Sequence, residues 1–172
     1  MNYSIPKDIF VKAAKEYGTP LWIYNRETIE ERVKETKVFD VVRYAQKACS
    51  NLSVLALMKR LGVVVDAVSA GEIVRALKAG YKGGIEKGKA PEIVYTADIF
   101  DADALELVKQ HKIPVNIGSP DMIEQLAAAG IRTDLTLRVN PGFGHGHSSK
   151  VNTGGDLSKM AFGMNKLKNV LS

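Results

Sequence analysis

Short apolar runs rich in Val and Ile alternate along this chain with longer stretches whose apolar residues return every three or four positions. Runs of the first kind read as strands and stretches of the second as amphipathic helices. The first run covers residues 21–24, ahead of a charged helix over about 26–37. A strand is expected at 41–45 and a helix at 52–61, with Leu52, Leu55 and Met58 on one face and Asn51 as its N-cap. Residues 63–68 read as a strand, and 70–79 as a helix closed by Gly80, where a left-handed backbone is cheap. The pattern then repeats. Strands are expected at 93–96, 113–117 and 135–139, and helices at 101–111, capped by Asp101, and at 119–129, ended by Gly130.

Strand and helix alternating at this spacing imply right-handed βαβ units and a parallel sheet. Two architectures accommodate about five such units: an open doubly wound sheet, or part of a (β/α)8 TIM barrel. A doubly wound dinucleotide site usually carries glycines in its first βα turn. Here that turn reads Gln46-Lys47-Ala48-Cys49-Ser50-Asn51, with none. A full barrel takes about 250 residues. The 172 residues here do not close one, and its end strands would keep unpaired edges. The expected division is an N-terminal strand and helix over residues 1–38 and a partial barrel over 39–172.

Composition narrows the picture without changing it. Hydrophobic residues make up 45% and charged residues 25%, ordinary values for a globular domain. The net charge is +5, but the lysines alternate with acidic residues, as on solvated helix faces, so nucleic acid is not an expected partner. Cys49 is the one cysteine, so neither an internal disulfide nor a cysteine zinc site can form. No signal peptide or membrane span is read, and a cytoplasmic location is the expectation.

Parallel α/β folds place their sites at the C-terminal ends of the strands. Polar groups gather there: Lys47, then Asp66, Ser69 and Glu72, then Thr96 and Asp98, then Asn116 and Ser119, then Arg138 and Asn140. A glycine-rich loop over 141–148 follows and could cradle an anion or be a plain surface loop. A lysine flanked by small and apolar residues can lose hydration, which favours the neutral, nucleophilic amine; a lysine reaching into solvent is the alternative for Lys47. Glu72 could be an acid or base, or simply a helix-start carboxylate. His145 and His147 lack a supporting carboxylate or cysteine, so a metal site is not expected.

Several strings carry more than their positions do. Arg43-Tyr44-Ala45-Gln46-Lys47-Ala48-Cys49-Ser50-Asn51 resembles the cofactor-lysine segment of the fold-type III pyridoxal-phosphate (PLP) decarboxylases, the bacterial diaminopimelate decarboxylases in particular. Val65-Asp66-Ala67-Val68-Ser69-Ala70-Gly71-Glu72 is similar to their second motif. Leu137-Arg138-Val139-Asn140-Pro141-Gly142, then Gly144-His145-Gly146-His147-Ser148 and Asn152-Thr153-Gly154-Gly155, resemble their fifth-strand motif and the loop after it. Four motifs in order are a strong signal.

The resemblance implies a barrel of the alanine racemase and decarboxylase type, with Lys47 as the Schiff-base lysine of PLP. It implies that Asp66, Glu72 and Arg138 line the cofactor pocket, with His147 and Ser148 near it. The implied reaction is decarboxylation of meso-diaminopimelate, a small amino acid, to L-lysine, in a homodimer. Family segments expected downstream are absent: a cofactor-stacking histidine, a glycine-rich phosphate loop, a glutamate for the pyridine nitrogen and the β-sandwich domain. Met160-Ala161 also interrupts the segment around Ser158-Lys159 and Phe162-Gly163. The expectation is a truncated decarboxylase with weak PLP affinity and little turnover alone. A non-catalytic PLP carrier, or an interaction fragment pairing its open edges, are the alternatives.

Overall fold

The computed structural model describes residues 5–140, together with the backbone of 162–163. The chain divides into two compact units, residues 1–42 and 43–172. The first contains helix α1 (Lys7–Tyr17) and helix α2 (Arg26–Glu35). Helix α2 starts where Asn25 accepts a hydrogen bond from Thr28 N at 2.7 Å, and Arg26–Glu30 and Arg32–Glu35 pairs run along it. Residues 21–24, expected as a strand, join no ladder, and Trp22 among them is 87% exposed. An apolar run becomes a strand only beside a backbone that completes its hydrogen bonds, and among the described residues none lies beside this one.

The second unit follows the βα alternation. After β1 (Arg43–Ala45) comes a 3-10 turn (Gln46–Ala48), then α3 (Leu52–Arg60), β2 (Val64–Ala67), α4 (Ala70–Lys78), β3 (Ile93–Ala97), α5 (Ala102–His111), β4 (Val115–Ile117), α6 (Pro120–Ala128) and β5 (Leu135–Leu137). Asn51, Ser69 and Asp101 accept hydrogen bonds from first-turn N–H groups of α3, α4 and α5, satisfying donors that a helix start leaves open.

The five strands are all parallel and lie in the order β1-β2-β3-β4-β5. A doubly wound sheet reverses its order at a switch point; this one never does, which is the order of a barrel wall. The expected strand over 135–139 is split. Leu137 pairs with Ile117, and Arg138 N still donates to Ile117 O at 2.9 Å. The next residues form β6 (Val139–Asn140), which pairs in parallel with β7 (Phe162–Gly163). One stretch of chain therefore touches a neighbour on each side, as barrel strands do, and the parallel series gains a further strand.

Side chains alternate across each strand. One set, including Val65, Ala67, Ile93, Tyr95, Val115 and Ile117, is at most 1% exposed and packs in one cluster with Leu55, Ile73, Ala76, Ala104, Val108, Met122 and Leu126 from the helices. The other set, Arg43, Ala45, Asp66, Val94, Thr96, Asn116 and Thr136, faces a concavity of about 600 Å³. The same sheet thus carries an apolar convex face and a largely polar concave one.

Candidate active site at the strand ends

Lys47 sits on the 3-10 turn directly after β1. It is exposed, so the desolvation expected to free its amine is not supplied by the described residues. It does not stand apart from the polar rim, however: its charge acts on the carboxylate of Asp66. Asp66 lies opposite Ala45 in the ladder, on the concave face. Burial raises its pKa above the ordinary aspartate value; the Thr96 hydroxyl and the charges of Arg43, Lys47 and Arg138 oppose that without cancelling it. One carboxylate therefore serves three cations brought in by β1, the turn after it and the end of β5.

The sign of this shift gives a testable result. A carboxyl that ionises less readily when folded holds its proton after the unfolded chain has lost it. Its contribution to stability is then present at low pH and lost as pH rises past the ordinary aspartate range toward the folded value. Urea midpoints of the natural chain should fall more steeply over that window than those of Asp66→Asn; parallel curves would count against the burial of Asp66.

Glu72 is committed to the helix start. Its Oε2 accepts from Val68 N at 2.8 Å, while Ser69 Oγ accepts from Glu72 N at 3.3 Å. This is a capping box displaced by one residue, and it holds the turn between β2 and α4. Arg138 emerges past β5, with Nη1 3.8 Å from Asp98 Oδ1 at the end of β3. The structure thus brings Lys47, Asp66 and Arg138 into one electrostatic group and ties Glu72 to the backbone beside it. His147 and Ser148 lie outside the described residues.

Three residues of this region escaped the sequence reading. Arg43 donates from Nη1 to Val65 O at 2.8 Å and from Nη2 to Pro91 O at 3.0 Å, crossing beneath Asp66. Its spacing with Ala45, two residues along, was the signal available. Gln46 is 1% exposed, and neither its Oε1 nor its Nε2 has a hydrogen-bond partner. At Gly118, any β-carbon would collide with the Asp98 carboxylate. A larger groove of about 920 Å³ opens among α3, α4 and α5 on the helical side and contains Gly71 but none of the six expected site residues.

Comparison with known proteins accounts for this layout. The family model described as "Pyridoxal-dependent decarboxylase, pyridoxal binding domain" matches residues 26–172. The diaminopimelate decarboxylase of Streptomyces coelicolor is 54% identical over 147 residues, which is 86% of this chain and 33% of that protein. That of Escherichia coli K12 is 52% identical over 144 residues, 84% of this chain and 34% of the relative. A crystal structure of a diaminopimelate decarboxylase superposes with a TM-score of 0.86 at 47% identity, over 95% of this chain and 38% of the other. The Helicobacter pylori enzyme in complex with L-lysine gives 0.79 at 26% identity, over 93% and 41%. The chain spans about a third of the length of these curated relatives. No helix among the described residues is long and apolar enough to cross a membrane. A sheet in unbroken sequential order, a lysine at its first strand end and a family match over residues 26–172 converge on one assignment: this chain belongs to the pyridoxal-dependent decarboxylases and carries part of their pyridoxal-binding domain.

Proposed function

We propose that this chain is part of a diaminopimelate decarboxylase that holds PLP through Lys47 and removes CO2 from meso-diaminopimelate to give L-lysine. The observation that carries the reading is the lysine at the end of β1 with the Asp66 carboxylate beside it. Identities of 54% and 52% to diaminopimelate decarboxylases support the substrate, as does the L-lysine held by the H. pylori relative. The homodimer implied by the family is part of the same proposal.

The residues present suit PLP, which is an anion bearing an aldehyde. The rim offers a primary amine open to solution, and cations outnumber the carboxylate they surround. When bound, PLP supplies the aldehyde that an amine can join and a conjugated ring that takes up the electron pair left by a departing carboxylate. Lys47 would hold it covalently, with Arg138 supplying guanidinium donors to its anionic oxygens. Asp66 would keep the Lys47 amine turned toward the rim and, because burial disfavours its ionised form, could hold a proton on its carboxyl oxygen. Glu72 would fix the turn between β2 and α4 against which these groups sit. His147 and Ser148 are proposed near the same pocket from the resemblance alone.

The test is chemical trapping. The protein is incubated with PLP, reduced with borohydride and digested. A phosphopyridoxyl mass on the peptide containing Lys47 is expected; labelling elsewhere, or none, overturns the cofactor assignment. Millimolar meso-diaminopimelate or L-lysine should prevent trapping. Prevention by ornithine or arginine, with meso-diaminopimelate inert, would overturn the substrate.

A further inference from the structure

We propose that Asp98 is the positioning residue for Arg138, and that Gly118 is glycine so that the Asp98 carboxylate can reach it. This rests on the reading that the rim beside Lys47 receives PLP. The ends of three consecutive strands meet here: Asp98 follows β3, Gly118 follows β4 and Arg138 follows β5. The backbone of Asp98 is held on both sides. Ser119 Oγ donates to Asp98 O at 3.2 Å, and Tyr95 OH donates to Ile99 O at 3.0 Å. The side chain then leans onto Gly118, so closely that no larger residue fits without moving it.

This placement leaves Asp98 Oδ1 buried with no hydrogen-bond partner. A buried carboxylate oxygen without a donor is costly unless a charge compensates it. The Arg138 guanidinium, 3.8 Å away, is that charge. The separation exceeds the 2.7–2.9 Å typical of a charge-assisted hydrogen bond, so the pair orients the arginine without occupying its full set of donors. Both side chains are about a third exposed, at 30% and 34%, so the pair opens to the rim on its other side. The charge of Arg138 also reaches Asp66 on β2, which supports a guanidinium held between two carboxylates and facing the ground next to Lys47. Arg138 needs such a hold, because its own strand leaves the ladder with β4 there and turns to β7.

Two measurements on the whole chain separate this inference from the one it rests on. The first is PLP capture, followed by absorbance titration, in Asp98→Asn, Arg138→Gln and the double variant. Asp98→Asn should weaken capture about tenfold, the scale of one hydrogen bond to a charged group. The double variant should be no worse than Arg138→Gln alone, because Asp98 acts through Arg138. A further tenfold loss in the double variant would overturn the proposal. The second needs no cofactor: phenylglyoxal modification of Arg138, read by peptide mass. Asp98→Asn and Gly118→Ala should each speed it several-fold. An unchanged rate in Asp98→Asn overturns the pairing. A changed rate with no Lys47-dependent PLP capture leaves the pairing standing and overturns the cofactor reading alone.

Discussion

Lys47→Ala is expected to abolish covalent PLP capture while leaving the fold intact. The two halves of that outcome have separate physical grounds. Capture requires a primary amine that can become a neutral nucleophile, and no other described residue places one beside Asp66 at a strand end. The fold should survive because Lys47 is exposed and lies outside the packed cluster, where substitutions usually change stability by less than about 0.5 kcal/mol. Lys47→Arg makes the experiment discriminating. It keeps a positive charge near Asp66 but presents a guanidinium that does not deprotonate at accessible pH. If the rim were only an electrostatic sink for phosphate, Lys47→Arg would bind PLP as the natural chain does. Complete loss of the borohydride-trapped product in both variants, with unchanged circular dichroism and urea midpoint, is the expected result. A trapped product surviving in either variant would move the attachment point elsewhere.

What could be read from the sequence was whatever neighbours in the chain decide. Asn51, Ser69 and Asp101 are legible as helix starts because a cap bonds to N–H groups two or three residues on. Gly80 and Gly130 are legible as helix ends, and both take the positive φ that glycine adopts at little cost. The strand series followed from apolar runs, although their bounds were set one to two residues too wide at several ends. Residues 21–24 show the limit: the run is apolar, yet whether it pairs depends on a backbone far away in the chain. Helix α1 was overlooked for a related reason. Its N-cap is Pro6, which makes no side-chain cap bond, and none of its residues is buried.

The site divides in the same way. Lys47, Asp66 and Arg138 could be picked out because strand ends are where such folds gather polar groups. Their partners could not. That Arg43 would pass under Asp66, that Gln46 would be buried with an unpaired amide, or that Gly118 would lie against Asp98 depends on register between strands 20 or more residues apart. Even the exposure of Lys47 follows from what the barrel wall covers, which no local string encodes.

Tyr95→Ala should be the most destabilising single change near the site. Tyr95 is 1% exposed on the central strand, between Ala67 of β2 and Val115 of β4. Its ring stacks on Phe100 with centroids 4.9 Å apart and planes within 8°. Truncation removes the ring from a packed interior and leaves a void, which for a large aromatic costs about 3–5 kcal/mol, a substantial part of the 5–15 kcal/mol typical of a domain. Tyr95→Phe keeps the ring and loses the hydroxyl bond to Ile99 O, a loss of about 1 kcal/mol. The two variants thus separate packing from hydrogen bonding, and urea unfolding at constant slope reads both. The hydroxyl has a further signature. Burial pushes the Tyr95 pKa up to about 12, so the unfolded chain loses this proton first and stability falls as pH climbs from the ordinary phenol range toward that value. Tyr95→Phe should remove that share of the alkaline fall, while Tyr81, also raised by burial, keeps its own. Because Tyr95 OH fixes Ile99, next to Asp98, Tyr95→Phe should also speed phenylglyoxal attack on Arg138. A Tyr95→Ala variant no weaker than Tyr95→Phe would mean that the ring is not a packing element of this wall, and the link from core to rim would fail with it.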